Sequence, residues 1–327
     1  MRSFEYIRPP TLEDAISILA RGARALAGGT DLITLMKADI DAPERLVSLR
    51  GLLPGGIRSA PDGTSIGAAT LLSDIEAHEM IRSRYAALAQ AAAAAASLQL
   101  RNMATLGGNL LQRPRCWYFR NRDIDCWLKG GPSCPAREGR NREHALFGGN
   151  HCVAVHPSDL APALLAFDAV LTVAAPPGQR TLTLDQLYAL PQPERRTETT
   201  LERHDVIVNV RLPPPAPRTR SVYLKAMDRK AFAFALAGVA ALIRASDDGA
   251  RVAHARIVLS GVAPVPWRAE AAEALLIGAQ PTPDLLERAA DAALAGAMPL
   301  RENRWKLPLQ RALITRALEQ LVPQAGH

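Results

Sequence analysis

Two pairs of consecutive glycines constrain this 327-residue chain more than any other feature of its sequence. One pair lies in AGGTDL (Ala27 to Leu32), after a predicted strand, and the other in TLGGNL (Thr105 to Leu110), after a predicted helix. Because glycine has no Cβ, its backbone N–H can approach an anion closely, and Thr30 or Asn109 can add a side-chain donor. The pattern suits either two ordinary turns or a pyrophosphate cradle. Neither turn matches G-x-G-x-x-G or a P-loop, which excludes a standard Rossmann or P-loop domain.

Short strands alternate with helices in the N-terminal part of the chain. Ser3 to Ile7 is a predicted strand, and Thr11 is the predicted cap of the helix that follows. Ala23 to Ala27 is the strand that leads into the first glycine pair. The alanine tract from Ala86 to Ala96 is predicted as a buried helix, because it is flanked by arginines and is about half as long as a membrane span.

The run PPPAP (213–217) is the best candidate for a domain boundary. Beyond it, SVYLKAMDRKAFAFALAGVAALIRA predicts a strand followed by a helix or a second strand. The tail from Thr282 to Leu321 predicts three amphipathic helical segments. The whole pattern predicts an α+β fold with a small C-terminal domain.

The chain carries 39 Lys and Arg residues against 32 Asp and Glu, for a net charge of +7. This charge is spread along the chain without a Lys/Arg block or a nucleic-acid motif, so we expect no nucleic-acid partner. No apolar run reaches the roughly 18 residues of a membrane span, so we expect none. The N-terminal residues lack the apolar core of a signal peptide, and none is expected in this chain.

Asp159 opens a predicted helix in PSDLAPALLAFDA. An aspartate at this position most often caps the helix with its carboxylate, and the residues alone favour that interpretation. The alternative is a carboxylate that binds a ribose or ribityl hydroxyl of a ligand.

All four cysteines lie in one segment, at positions 116, 126, 134 and 152. Their spacing, C-x9-C-x7-C-x17-C, differs from the short C-x2-4-C pairs of zinc knuckles and from the bacterial ferredoxin motif. Two disulfides, a structural Zn²⁺ and an iron–sulfur cluster all satisfy the pattern. Between Arg113 and Arg142, eight Arg or Lys residues accompany three acidic ones, which suits the negative charge of four thiolates around a metal centre.

The chain as a whole resembles the FAD-binding subunits of the molybdenum hydroxylases, the group that includes xanthine dehydrogenase and the medium subunit of carbon monoxide dehydrogenase. The resemblance covers almost the whole length and rests on FEYIRPPTLEDAISIL, LAGGTDLITLMK, IGAATLLSDIE, ATLGGNL, PSDLAPALLAFDA, DVIVNVRLP and YLKAMDRKAFAFALAGVAA. It implies an FAD-binding fold of the vanillyl-alcohol-oxidase (PCMH) type, with subdomains 1–55 and 56–214. A C-terminal domain of the carbon monoxide dehydrogenase flavoprotein type, 218–327, would follow.

The resemblance also implies which residues contact FAD. The diphosphate would be wrapped by Ala25, Leu26, Ala27, Gly28, Gly29, Thr30, Asp31 and Leu32, with Thr105, Gly108 and Asn109 completing the cradle. Asp159 would bind the adenosine or ribityl portion, and Ile207 would make a backbone contact with the adenine. Lys225 would lie near the isoalloxazine, although the residues alone favour a solvated charge at a strand end. Asp31 stands where relatives often carry Asn, Ser or Glu. Because its negative charge would oppose a diphosphate, its backbone, and not its carboxylate, must face the cofactor.

Most members of the group pass directly from TLGGN to PSDL, whereas here an insertion at about 112–155 intervenes. It resembles the insertion in the FAD subunit of the three-subunit bacterial aldehyde oxidoreductases, and benzoyl-CoA-type hydroxylase relatives carry a comparable one. The resemblance implies a [4Fe–4S] cluster on Cys116, Cys126, Cys134 and Cys152. It also disfavours disulfides, because such proteins assemble in reducing cytosol.

Other side chains of the insertion have expected roles around the cluster. Trp117, Tyr118 and Trp127 would shield it from water, and His144 and His151 are weaker alternatives as ligands. The arginines would raise its reduction potential, because nearby cations favour the more negative state.

The function implied is that of an electron-transfer subunit of a molybdenum-cofactor aldehyde oxidoreductase, with no catalytic residue of its own. A large partner would hold the molybdenum cofactor, and a small partner would pass electrons through two [2Fe–2S] clusters to FAD, in a heterotrimer or its dimer. The complex would be periplasmic, exported with a signal-bearing partner, or cytoplasmic. The alternatives are a hydroxylase acting on a CoA thioester or N-heterocycle, and a zinc-stabilised scaffold without redox function.

Overall fold

The computed structural model describes residues 1–322 of the protein. Within this range the strands form three sheets, and the predicted α+β class is confirmed. No helix in the range combines the length and the apolar character needed to cross a bilayer.

The N-terminal sheet is a small parallel βαβ arrangement. Its elements are β1 (Glu5–Ile7), α1 (Leu12–Ala20), β2 (Arg24–Leu26), α2 (Leu32–Lys37) and β3 (Arg45–Ser48). The strand order is β1-β3-β2, and both pairings are parallel. The predicted cap of α1 is confirmed, since the Thr11 side chain accepts a hydrogen bond from the Asp14 N–H at 3.1 Å. The first glycine pair lies between β2 and α2, at the carboxyl end of a parallel strand, where ligand crevices form.

The second sheet is antiparallel. It contains β4 (Ile57–Ala60), β5 (Gly63–Gly67), β6 (Val170–Ala175), β7 (Gly178–Thr183) and β8 (Val206–Leu212), in the order β4-β5-β8-β6-β7. Its helices are α3 (Leu72–Ala77), α4 (Glu79–Arg84), α5 (Ala86–Ala94), α6 (Leu98–Arg101), α7 (Leu106–Leu110), α8 (Leu160–Ala166) and α9 (Leu184–Leu187). The alanine tract forms α5, in which Ala87, Leu88 and Ala91 are completely buried, so the predicted buried helix is confirmed.

The cysteine segment, residues 112–155, connects α7 to α8 and has almost no regular structure. The 3₁₀ turn Trp127–Lys129 is the one regular element within it. A chain without helices or strands must satisfy its backbone groups in other ways. Here distant side chains do so: Arg196, for example, donates to the carbonyl oxygens of Trp127 and Gly131 at 2.9 Å each.

The third sheet lies beyond PPPAP. It contains β9 (Thr219–Ala226), β10 (Ala237–Ala245), β11 (Val252–Ser260) and β12 (Trp267–Arg268), in the antiparallel order β12-β11-β10-β9. Its helices are α10 (Glu270–Leu276), α11 (Pro283–Ala293) and α12 (Lys306–Leu321). The second element of SVYLKAMDRKAFAFALAGVAALIRA, for which the sequence allowed a helix or a strand, is therefore the strand β10.

The prediction of three helical segments between Thr282 and Leu321 is wrong, since α11 and α12 are the two helices in that range. Gly296, at φ +78°, and Pro299 stop the helical path between them. The turn residues that follow bind the cysteine segment. The Asn303 side chain donates to the carbonyl oxygens of His144 and Ala145 at 3.0 Å each.

Candidate functional site

A cleft of about 1480 Å³ is lined by residues from the first two sheets and their loops, by the loop between β9 and β10, and by the cysteine segment. Small-molecule pockets commonly measure about 300–1,000 Å³, so this cleft has room for a ligand as long as a dinucleotide. Most of the predicted FAD contacts line it, namely Ala25, Leu26, Ala27, Gly28, Gly29, Thr30, Asp31, Leu32, Thr105, Gly108, Asn109, Asp159 and Ile207. Of the predicted contacts, all of which the structure describes, only Lys225 lies outside the cleft wall.

The first glycine pair forms a tight turn in which neither position accepts an ordinary side chain. A Cβ on Gly28 would lie 2.0 Å from the Met103 carbonyl oxygen, and Gly29 has a φ of +73°. Within residues 1–322, the backbone N–H groups of Gly28, Gly29 and Thr30 donate no hydrogen bond. Three consecutive donors at the cleft wall are therefore available to an anion such as a diphosphate.

The second glycine pair was expected in a turn but lies inside helix α7. The reason is a cap: the Thr105 side chain accepts a hydrogen bond from the Gly108 N–H at 3.2 Å. Next to it, the Asn109 side-chain oxygen accepts from the Ser158 hydroxyl at 2.5 Å. This bond joins the TLGGN and PSD motifs. Because it uses the side-chain oxygen, the Asn109 amide nitrogen stays available as the side-chain donor that the sequence predicted.

Asp159 stands at the N-cap position of α8 but does not cap it, so the capping interpretation is wrong. Ser158 performs that role, because its hydroxyl accepts from the Ala161 N–H at 3.1 Å. The Asp159 carboxylate instead accepts from the Tyr223 hydroxyl at 2.6 Å and the Lys225 ammonium at 2.7 Å. Burial raises the pKa of Asp159, and the charge of Lys225 opposes that shift.

Lys225 is buried, so its interpretation as a solvated charge is wrong. Its side chain is 2% exposed, and its ammonium also donates to the Ala94 carbonyl oxygen at 2.9 Å. A buried ammonium is stable only with a counter-ion and satisfied hydrogen bonds, which Asp159 and Ala94 supply. Lys225 therefore acts on the cleft through Asp159, whose carboxylate it orients.

Asp31 connects the glycine turn to the cysteine segment. Its Oδ1 forms an ion pair with Arg115 at 2.9 Å and accepts from Arg120 at 2.8 Å, and its Oδ2 accepts from the Arg113 N–H at 2.8 Å. Burial lowers the pKa of Arg115 to about 10, with Asp31 opposing the shift. The carboxylate is thus neutralised by protein groups, as a position beside a diphosphate requires.

The four cysteines are free thiols gathered in one apolar pocket, and no disulfide joins them. The pocket also contains Leu35, Phe119, Trp127, Leu128 and Ala154. The neighbouring Cys152 side chain lowers the pKa of Cys134 to about 6, whereas Cys134 and burial raise the pKa of Cys152. Burial raises the pKa of Cys116 to about 11, and Cys126 and Cys134 are close enough to add to that shift. The thiols therefore form one group of neighbours.

This group is not a ready site for a single ion. Within residues 1–322, no three His, Cys, Asp or Glu side chains converge closely enough to hold one metal ion. A tetrahedral Zn²⁺ with Zn–S bonds of about 2.3 Å requires sulfurs about 4 Å apart. The four sulfurs are neighbours, but among the described residues they do not assemble such a site.

The histidines and aromatics of the segment differ in their positions. His144 Nε2 lies 3.2 Å from Cys116 Sγ, and burial lowers the pKa of His144 to about 4. His151 stacks on Trp127, with ring centroids 5.2 Å apart. Trp127 is buried, as expected for a shielding residue, whereas Trp117 is 48% exposed. The expected shielding by Trp117 therefore has no basis in this chain alone.

Sequence reasoning missed the loop between β9 and β10. Phe232 and Phe234 line the cleft although they are 56% and 46% exposed, and the Arg115 guanidinium lies 4.6 Å over the Phe234 ring. A signal was present in AFAFA, which places two large apolar side chains directly after a charged turn. Exposed aromatics beside a cleft are typical of ligand or partner contacts.

Comparison with protein families assigns nearly the whole chain. Residues 2–215 match the family described as "FAD binding domain in molybdopterin dehydrogenase", and residues 222–321 match the "CO dehydrogenase flavoprotein C-terminal domain". The chain is 41% identical to the aldehyde oxidoreductase FAD-binding subunit PaoB of Escherichia coli K12, over 99% of this chain and 100% of the relative. It is 29% identical to the carbon monoxide dehydrogenase medium chain of Hydrogenophaga pseudoflava, over 96% of each.

The fold is also similar to a solved structure. Carbon monoxide dehydrogenase from Hydrogenophaga pseudoflava superposes with a TM-score of 0.76 at 29% identity, covering 97% of this chain and 96% of the other. The family match spans well over half of the residues, and it agrees with the cleft, the glycine turn and the third sheet described above. This chain belongs to the FAD-binding medium subunits of the molybdenum hydroxylase family of oxidoreductases.

Proposed function

We propose that this chain is the electron-transfer subunit of a molybdenum-cofactor aldehyde oxidoreductase, with FAD in the cleft and a [4Fe–4S] cluster on its four cysteines. One observation carries the proposal: the glycine turn and the cysteine segment are walls of the same cleft. When bound, FAD accepts single electrons from iron–sulfur centres and releases two together. The role of this chain is to hold and orient the redox centres.

Each group of cleft residues has its own task toward FAD. The free N–H groups of Gly28 to Thr30 would bind the diphosphate, with the Asn109 amide nitrogen as a further donor. Asp159, held by Lys225 and Tyr223, would accept from a hydroxyl of the adenosine or ribityl portion. The Ile207 backbone would contact the adenine.

The chemistry of the cysteine pocket supports the cluster. The four thiols are free and share an apolar pocket, and no three of them, within the part of the chain that the structure describes, converge on a single ion. In a four-iron cluster each cysteine binds a different iron atom, so the sulfurs stand further apart than around one ion. The surrounding arginines would offset the negative charge of the loaded site.

We extend the proposal to the reaction, the partners and the compartment by analogy with the family. The name of the relative at 41% identity describes an aldehyde oxidoreductase subunit. We therefore assign substrate turnover to a large molybdenum-cofactor partner and electron delivery to a small [2Fe–2S] partner. The complex would be periplasmic, through export with a signal-bearing partner, or cytoplasmic.

The test uses the complex purified with its partners, and compares wild type with Cys126→Ser. FAD, iron, sulfide and zinc are measured per complex, and turnover is assayed with aldehydes, CoA thioesters and N-heterocycles. We expect one FAD per chain and turnover of aldehydes by the wild-type complex. We also expect the wild type to contain four more iron atoms per chain than the variant. Stoichiometric zinc, or equal iron in both proteins, would reject the cluster. Turnover of only a CoA thioester or N-heterocycle would reject the aldehyde assignment.

A further inference from the structure

Asp31 is part of the glycine turn in sequence, but its carboxylate is bound by the cysteine segment. Its two hydrogen-bond donors, on Arg113 and Arg120, and its ion-pair partner Arg115 all lie in that segment. The Asp31 side chain is 15% exposed and that of Arg120 is 16% exposed, so the ion pair is shielded from water. A shielded pair interacts more strongly than an exposed one.

Arg120 also organises the loop around the first cysteine. Its N–H donates to the Cys116 carbonyl oxygen at 2.9 Å, and its guanidinium donates to the carbonyl oxygens of Pro114 and Arg113 at 2.8 and 2.9 Å. The position of Cys116 and the position of the Asp31 partner are therefore set by the same few hydrogen bonds.

The far half of the cysteine segment, residues 135–155, is held independently of Asp31. The Asn141 N–H donates to the Glu302 carboxylate at 3.0 Å, and the Lys306 ammonium donates to the carbonyl oxygens of Glu143 and His144 at 3.2 and 3.1 Å. Within the near half, residues 113–134, Arg196 likewise holds Trp127 and Gly131, so disordering of the cysteine pocket would reach Asp31 through residues 113–120. This is the half that contacts the glycine turn.

We propose that loading of the cysteine pocket and binding of FAD are thermodynamically coupled, with Asp31 as the positioning residue that links them. The inference rests on the proposed function. With a ligated cluster, Arg115 and Arg120 are fixed and neutralise Asp31 beside the diphosphate donors. Without it, a loop that lacks regular structure loosens, and the freed carboxylate repels the diphosphate. Linkage requires that FAD stabilise the loaded pocket by the same factor.

The experiment measures the FAD dissociation constant of the complex with the cluster present and after its anaerobic removal by a chelator. We expect wild type to bind FAD about ten-fold more weakly without the cluster, within the usual range of coupling between sites. In Asp31→Asn the ratio of the two dissociation constants should fall toward one, because no charge is freed. Asp31→Glu, which keeps the charge, should restore part of the ratio.

The matched control is Asp41→Asn. Asp41 lies on the same cleft wall and pairs with Arg24 at 2.9 Å, but neither residue belongs to the cysteine segment. Whatever its own affinity for FAD, this variant should keep the ten-fold ratio between the dissociation constants measured without and with the cluster. If the chelator destabilises the protein, a second measurement replaces the first: the iron retained per complex at a fixed chelator concentration, with and without FAD. Added FAD should increase the retained iron in wild type and not in Asp31→Asn.

The outcomes separate the inference from the proposed function. If the protein binds both iron and FAD, but its FAD affinity is the same with and without the cluster, the coupling alone would be overturned. An unchanged ratio in Asp31→Asn would also overturn it. A complex that binds FAD but no iron at the four cysteines would overturn the cluster and the coupling together.

Discussion

The two walls of the cleft are built by opposite means. The glycine turn lies between a strand and a helix, and backbone contacts determine its shape, with Gly28 against the Met103 carbonyl oxygen. The cysteine segment has one short 3₁₀ turn and is held by side chains that reach it from elsewhere, such as Arg196 and Asn303. The first wall is therefore sensitive to added atoms, and the second to lost side chains.

The largest effect should come from adding one carbon to the backbone-built wall. In Gly28→Ala, the new Cβ would lie 2.0 Å from the Met103 carbonyl oxygen, so the turn must move. Overpacking of this kind costs about 1–3 kcal/mol or more. We expect a protein that purifies without FAD, as measured by flavin absorbance per chain. Gly178→Ala is the control, because a Cβ at that position would have open space within 4 Å, and it should retain flavin. Retained flavin in Gly28→Ala would contradict a backbone-built cradle.

The next effect should come from removing one thiol from the other wall. Cys126→Ser should lose the iron of the cluster and leave the glycine turn intact. Structural metal sites stabilise their folds, so the melting temperature should fall as well. Turnover measured at saturating FAD then tests the electron path. A complex that lacks this iron and still turns over at the wild-type rate would exclude an obligatory relay through the cluster.

A third prediction concerns the side chain that anchors the far half of the cysteine segment. Burial lowers the pKa of Lys306 to about 7. Between pH 7 and the ordinary lysine pKa of about 10.4, the unfolded chain binds a proton that the folded chain does not. This group therefore makes the folded protein more stable as pH rises through that interval.

Lys306→Met should remove that pH dependence and leave backbone carbonyls of Glu143 and His144 without their donor, at a cost of about 1–3 kcal/mol. Melting temperatures at pH 7, 8 and 9 should show a gap between wild type and variant that widens with pH. The exposed Lys37→Met serves as the control and should give parallel curves. Parallel curves for Lys306→Met would contradict a buried, proton-poor lysine.

The smallest expected effect is on the cluster potential. His144 Nε2 lies 3.2 Å from Cys116 Sγ, where an N–H can donate to a thiolate sulfur. Hydrogen bonds to cluster sulfurs stabilise the reduced form, so His144→Phe should lower the midpoint potential without loss of iron. A redox titration followed by electron paramagnetic resonance measures the shift. His151→Phe, which keeps an aromatic ring on Trp127, should leave the potential unchanged.

Local signals in the sequence predicted much of the fold. Thr11 indicated the first helix because a cap acts within one turn, and the alanine tract indicated a buried helix because its composition offers no polar face. The tail was predicted less well. Its periodicity extended across Gly296 and Pro299, but the residues there are engaged by the cysteine segment, a contact that no local pattern encodes.

The site divides in the same way. Motifs predicted the first glycine turn but not the helix around the second glycine pair, because a glycine pair signals backbone freedom without showing how a nearby cap will use it. The role of Asp159 was predicted wrongly from its helix position, since Tyr223 and Lys225 come from β9, far along the chain. The sequence by itself determined which residue types are present for the proposed diphosphate cradle and the proposed metal centre. Only the tertiary structure decided how the charges pair, placing Asp31 among the arginines and Lys225 against Asp159, because electrostatic pairing depends on distance in space and not on separation along the chain.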